Sequence, residues 1–135
     1  MIIVKKELMN IIESNAINVP KACTEALEKS FSRAINIDWQ QVQANFEAIF
    51  YQDDLEYIAL FQADGMLIEY RKIVPAGYLP FAIRQLVLEK GEVMNRLMVN
   101  RGNELFYEVI YRDEALNRFM LLINDQGNII KHQKL

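Results

Sequence analysis

The sequence predicts an α+β fold: a tandem α-β-β-β-β repeat with about eight antiparallel strands. Three observations predict it. The chain resembles itself at a spacing of about 60 residues, each copy opens on a proline followed by a helical apolar stripe, and each continues into β-branched and aromatic runs bounded by polar turns.

The first helix follows Val19-Pro20, with Ala22, Cys23, Ala26 and Leu27 on one stripe. Its counterpart follows Leu79-Pro80, with Ala82, Ile83, Leu86 and Val87. A proline in the first turn loses no hydrogen bond, because that N–H has no helical partner. The first strand of each copy spans Ile35 to Gln40, with Trp39, and Glu92 to Val99. Phe46-Glu47-Ala48-Ile49-Phe50 then parallels Tyr107-Glu108-Val109-Ile110-Tyr111, and Tyr57-Ile58-Ala59-Leu60-Phe61 parallels Phe119-Met120-Leu121-Leu122-Ile123. Ala63-Asp64-Gly65-Met66-Leu67-Ile68 parallels Asp125-Gln126-Gly127-Asn128-Ile129-Ile130, where Asp64-Gly65 and Gln126-Gly127 read as two-residue hairpins. Gln52-Asp53-Asp54, Asn100-Arg101-Gly102-Asn103 and Asp113-Glu114 mark further turns.

Residues 18–74 thus form the first copy and 75–135 the second, joined through the short Val74–Tyr78 stretch. Each copy alone is too small for a stable core, so the two are expected to merge into a single domain over 1–135. Residues 1–17 stand outside the repeat, and the spacing of Leu8, Ile11 and Ile12 predicts an extra N-terminal helix over Lys5 to Ser14.

Composition bounds the chemistry. The 135 residues are 52% hydrophobic and 24% charged, with a net charge of -3, which argues against a nucleic-acid binder. The single cysteine, Cys23, and single histidine, His132, exclude an intramolecular disulfide and zinc sites built from several thiolates or imidazoles within one chain. No apolar run is long enough for a membrane-spanning helix, and no phosphate-binding glycine-rich loop is present. The opening Met1-Ile2-Ile3-Val4 followed by Lys5-Lys6-Glu7 does not read as an export signal, which on its own points to the cytoplasm.

Taken together, the Pro-led helices, the strand ending in Trp39, the Phe/Tyr-Glu-Ala/Val-x-Phe/Tyr strands and the apolar strands running into Ala63-Asp64-Gly65 and Asp125-Gln126-Gly127 resemble the PepSY-like proteins of bacteria, also described as resembling the β-lactamase inhibitory protein. The resemblance covers 19–132. It implies one curved antiparallel sheet with helices on one face, a periplasmic or secreted location, and binding or inhibition in place of catalysis. The chain departs from the pattern in lacking a visible signal peptide, a second tryptophan and an Asp-Gly second turn.

On that pattern Phe46, Ala48, Phe50, Tyr57, Ala59, Phe61, Tyr107, Val109, Tyr111, Phe119, Leu121 and Ile123 face the helices. The opposite face then carries Glu47, Ile49, Tyr51, Ile58, Leu60, Gln62, Glu108, Ile110, Arg112, Met120 and Leu122, joined by Met94, Arg96 and Met98. That set is more apolar than a solvent-facing surface requires, and it predicts a face for an unidentified polypeptide or for a second copy of the chain. A register slip of one residue would exchange the two faces.

Other residues carry weaker chemical readings. Cys23 and His132 as nucleophile and base are outweighed by the placement of Cys23 on an apolar stripe. Asp53, Asp54 and Asp64 as oxygen ligands are outweighed by their role as turn formers. Glu47 and Glu108 as an acid–base pair are explained as well by the repeat that duplicates them. Trp39 reads as core before it reads as a binding anchor. Arg96, Arg101 and Arg112 near Tyr107 and Tyr111 form a basic aromatic group offset by Glu104, Glu108, Asp113 and Glu114. The sequence therefore predicts a non-enzymatic protein-binding module without cofactor or metal; the alternative is a ligand-binding or enzymatic domain with a pocket between sheet and helices.

Overall fold

The computed structural model describes residues 17–135, so the helix expected over Lys5 to Ser14 lies outside the described residues. In chain order the elements are α1 (Lys21–Ser30), β1 (Ile35–Val42), β2 (Asn45–Gln52), β3 (Leu55–Phe61), β4 (Leu67–Ile73), a 3-10 turn (Ala76–Tyr78), α2 (Phe81–Leu88), β5 (Glu92–Arg101), β6 (Glu104–Arg112), β7 (Arg118–Asn124) and β8 (Ile129–Lys134). The order α-β-β-β-β occurs twice. All eight strands belong to one antiparallel sheet in which each strand pairs with its neighbours in sequence.

Both helices follow prolines, and Pro20 and Pro80 stand at the N-cap positions. From α1 the apolar stripe buries Cys23 and Leu27; from α2 it buries Ile83 and Val87. Each stripe closes a separate core. The first gathers Cys23, Leu27 and Phe31 over Phe46, Ala48, Phe50, Tyr57, Ala59 and Phe61. The second gathers Leu79, Ile83 and Val87 over Tyr107, Val109, Tyr111, Leu121 and Ile123. Fully burying a side chain the size of Leu or Phe contributes about 1.5–3 kcal/mol, so these stripes, more than helix propensity, hold the helices in place.

Cross-strand register shows that both cores lie on one side of the sheet. Tyr57 is opposite Lys72, Lys72 opposite Met98, Met98 opposite Tyr107, and Tyr107 opposite Ile123. Residues directly opposite in antiparallel strands share a face, so this row crosses from the first core to the second without changing side.

The turns differ from expectation in one respect. Asp53-Asp54 is a two-residue turn, with both residues at positive φ (52° and 65°), as a type I′ turn requires. The Asp64-Gly65 and Gln126-Gly127 connections are longer loops, closed by Gln62 N–H to Met66 O (2.8 Å) and Asn124 N–H to Asn128 O (2.9 Å). Side chains shape them: Asp64 Oδ1 accepts from Met66 N–H at 3.0 Å, and Asn124 Oδ1 accepts from Asn128 N–H at 2.9 Å. These local bonds compete with a tight hairpin and win.

Gly65 and Gly127 share a left-handed backbone (φ 91° and 88°), but a Cβ on Gly65 would stand 2.6 Å from the Ala22 carbonyl oxygen, whereas a Cβ on Gly127 would meet nothing within 4 Å. Gly127→Ala is expected to cost about 1 kcal/mol from backbone strain alone. Gly65→Ala carries the same strain plus a clash with α1, and is expected to cost roughly 1–3 kcal/mol more. Urea unfolding of the two variants measures the difference; equal losses would mean that α1 does not pack on this loop.

Candidate functional site

The sheet face turned away from the helices follows from the same register. One row runs Gln40, Glu47, Leu60, Glu69. The next runs Asp38, Ile49, Ile58, Arg71, Val99, Phe106, Asn124. Two further rows run Ile73, Leu97, Glu108, Leu122, Lys131 and Asn95, Ile110, Met120, Gln133. Glu47, Ile49, Ile58, Leu60, Glu108, Ile110, Met120 and Leu122 therefore sit where the sequence places them, all partly buried. Tyr51 is 43% exposed toward the end of β2, Gln62 is exposed just beyond β3, and Arg112 lies at the end of β6.

Two expected members of this face do not belong to it. Arg96 is opposite Val109 and Met98 is opposite Tyr107, so both point to the helix side, where Met98 packs on the second core. Met94 is the extra residue of a β-bulge between Val93 and Asn95. A bulge sets two residues against one and so reverses the alternation beyond it. Counting by twos from Glu92 through Met94 carries Arg96 and Met98 to the wrong side. Their places are taken by Leu97 and Val99. The signal that finds them is the Gly102-Asn103 turn: it fixes Arg101 opposite Glu104, and counting back gives Val99 opposite Phe106 and Leu97 opposite Glu108.

The sequence also misses Glu69 and Arg71 on β4, which organise the centre of the face. Arg71 Nε donates to Glu69 Oε2 at 2.9 Å, and Arg71 Nη1 donates to Glu108 Oε2 at 3.0 Å. Arg101 Nε donates to the other Glu69 oxygen at 3.3 Å. Arg71 is on β4 and Glu108 on β6, so their bridge passes over β5. There it crosses Val99, opposite Arg71, and Leu97, opposite Glu108; both are buried. Burial lowers the Arg71 pKa, but the Glu69 hydrogen bond and the charges of Glu108, Glu69 and Glu47 outweigh it, and the net shift is upward. Glu47 itself accepts a hydrogen bond from Gln40 Nε2. The face is thus a charged bar across β4–β6 with apolar flanks: Ile49, Ile58 and Leu60 on β2 and β3, and Ile110, Met120 and Leu122 on β6 and β7. Glu47 and Glu108 are engaged with separate partners, Gln40 and Arg71.

The remaining candidates separate. Cys23 is buried in the first core, where its thiol donates to Gln62 O at 3.1 Å and burial raises its pKa. His132 sits beside the second core, its Nε2 2.7 Å from the Tyr111 hydroxyl. Asp53 and Asp64 lie at opposite ends of β3. Arg33 grips Asp53 through Nε and Nη2 at 3.0 and 2.6 Å, and its hydrogen bond lowers the Asp53 pKa. Among the described residues, no three His, Cys, Asp or Glu side chains gather as a metal site. Trp39 is partly buried against the first core, its ring 5.7 Å from that of Phe61. Arg101 pairs with Glu69 and Arg112 with Glu92 (2.8 Å), so no joint basic patch forms with Arg96.

No protein-family model and no curated protein matches the sequence. Solved structures do match. A BLIP-like protein from Bacteroides fragilis superposes with a TM-score of 0.80 at 18% identity, over 91% of each chain. The protein has the BLIP-like fold. A DUF2874 family protein from Bacteroides uniformis gives 0.79 at 17% identity over 85% of this chain and 88% of its own. A candidate periplasmic protein from Bacteroides eggerthii gives 0.80 at 18% identity, covering 87% of this chain and 90% of its own. Among the described residues no helix is long and apolar enough to cross a membrane.

The charged bar has a measurable consequence. Arg71→Met removes the shared cation and leaves Glu69 and Glu108 without it. Because the pair is partly solvated, the loss at pH 7 is expected to be about 1 kcal/mol. It should shrink in concentrated salt, which screens a partly solvated ion pair. Chemical unfolding of both proteins at low and high sodium chloride checks this; a loss that grows with salt would contradict the pairing.

Proposed function

We propose that the protein is a non-enzymatic binding module that docks a polypeptide on the sheet face opposite its helices. The observation that carries this reading is the pair of apolar flanks around the charged bar. Ile49, Ile58 and Leu60 on one side and Ile110, Met120 and Leu122 on the other keep part of their surface open to solvent. Contiguous apolar surface of this kind is costly to leave in water and marks contact sites. The bar of Glu69, Arg71, Glu108 and Arg101 supplies directional hydrogen bonds that discriminate among partners more than they add affinity. The shared fold of the BLIP-like protein supports an inhibitor-like or assembly role, and the candidate periplasmic neighbour supports a location outside the cytoplasm. The partner is an unidentified polypeptide, a second copy of the chain included, and the reading requires neither cofactor nor nucleic acid.

The test is the double substitution Leu60→Lys with Ile110→Lys. Partner capture from cell extract, and self-association in analytical ultracentrifugation where it occurs, are expected to be lost. Tm should fall by less than about 5 °C, because lysine stems can lie along the sheet with their charges in water. Cooperative unfolding lost in the variant would make these residues core, and unchanged capture would move the contact elsewhere.

A further inference from the structure

The two ends of the sheet face opposite the helices carry opposite charge. Between residues 35 and 62 the sequence has no lysine or arginine. On this face β1–β3 present Asp38, Glu47 and Glu56, the last opposite Tyr51. At the other end β7 and β8 present Arg118, opposite Arg112, and Lys131, opposite Leu122. Neither β7 nor β8 contains an acidic residue. Among the described residues Asp38 and Glu56 form no ion pair, and neither do Arg118 and Lys131. Between these ends the bar of Glu69, Arg71, Arg101 and Glu108 sums to zero charge, Arg112 is paired with Glu92, and Glu104 stands exposed at the turn end of β6.

Each end also holds one of the two apolar flanks, so the ends are alike in apolar character and opposite in charge. A surface built in this way is complementary to itself. Turning a second copy over about an axis parallel to the strands lays its β7–β8 end on β1–β3 and its β1–β3 end on β7–β8. Every contact then occurs twice, as in an isologous interface. Turning it about an axis across the strands would set acid on acid and base on base, so the charges select the first arrangement. The area is adequate. Eight strands about 4.8 Å apart and roughly 20–25 Å long cover roughly 700–800 Å² per copy, close to the roughly 800 Å² that each partner buries in a stable complex.

We propose that the partner of this face is a second copy of the chain, related by a two-fold axis parallel to the strands. The proposal rests on the reading of this face as the contact surface and names its occupant. Ile49, Ile58 and Leu60 of one copy meet Ile110, Met120 and Leu122 of the other, and burial of these flanks supplies the affinity. Asp38, Glu47 and Glu56 of one copy face Arg118 and Lys131 of the other, and these charges fix the orientation. The two neutral bars lie over one another at the centre, where neither copy repels its partner.

Sedimentation equilibrium of the full chain is the test. A dimer with a dissociation constant of about 1–100 μM is expected. It should weaken by roughly five-fold or more in about 0.5 M sodium chloride, where exposed charges are screened. Asp38→Lys and Lys131→Glu change exposed residues on the two edge strands. Each variant alone sets like charges together at both ends and should dimerise more weakly. An equal mixture of the two restores opposite charges at both ends and should associate at least about ten-fold more tightly than either alone. A chain that stays monomeric, or a mixture no tighter than its components, overturns the proposal. A monomeric chain whose capture of another polypeptide is lost in the Leu60→Lys, Ile110→Lys variant overturns the dimer and leaves the docking reading standing. A dimer that persists in that variant overturns both. If a charge variant fails to fold by circular dichroism, the salt dependence of the unaltered dimer decides.

Discussion

Pairing of β4 with β5 is the contact on which the rest of the molecule depends. Tyr70, Arg71, Lys72 and Ile73 meet Asn100, Val99, Met98 and Leu97, and Val74 N–H adds a bond to Arg96 O at 3.1 Å. On either side of this seam lies a separate hydrophobic core under its own helix. Without the seam each half would be a four-stranded sheet with a single helix, close to the size at which one core ceases to suffice. With it, both cores lie on one side and the other side becomes continuous. The Arg71–Glu108 bridge exists only because the seam brings β4 within two strands of β6.

The two faces do different physical work. Small and aromatic side chains alternate on the helix side, where Ala48 and Ala59 let α1 approach and Phe31, Phe50, Tyr57 and Tyr70 interlock around it, with ring centroids 5.0–6.1 Å apart. On the far side the side chains are larger and mixed, and none of the described helices covers them. A surface that keeps isoleucine, leucine and methionine beside a fixed ion-pair bar has the composition of a contact face. That composition is what the proposed binding role rests on.

The halves share their element order but differ where chemistry enters. Tyr70 of the first half has His132 as its counterpart: Tyr70 is opposite Ala59, and His132 is opposite Leu121. Trp39 has Arg96. Both exchanges put a basic side chain where the first half has a Trp or a Tyr. His132 finds the Tyr111 hydroxyl, whereas the Arg96 Nε–H finds no protein acceptor among the described residues.

By itself the sequence determined the secondary elements and most of the facing pattern. Periods of 3.6 and 2 are local properties, and residues such as Cys23, Leu27, Ile83, Val87, Phe50 and Leu121 occupy the buried positions those periods assign. Tertiary structure decided what local periodicity cannot express. The bulge at Met94 exchanged Arg96 and Met98 for Leu97 and Val99, because one inserted residue inverts every side chain beyond it. The charged bar was equally hidden: Glu69, Arg71, Arg101 and Glu108 lie on three strands and meet only through register.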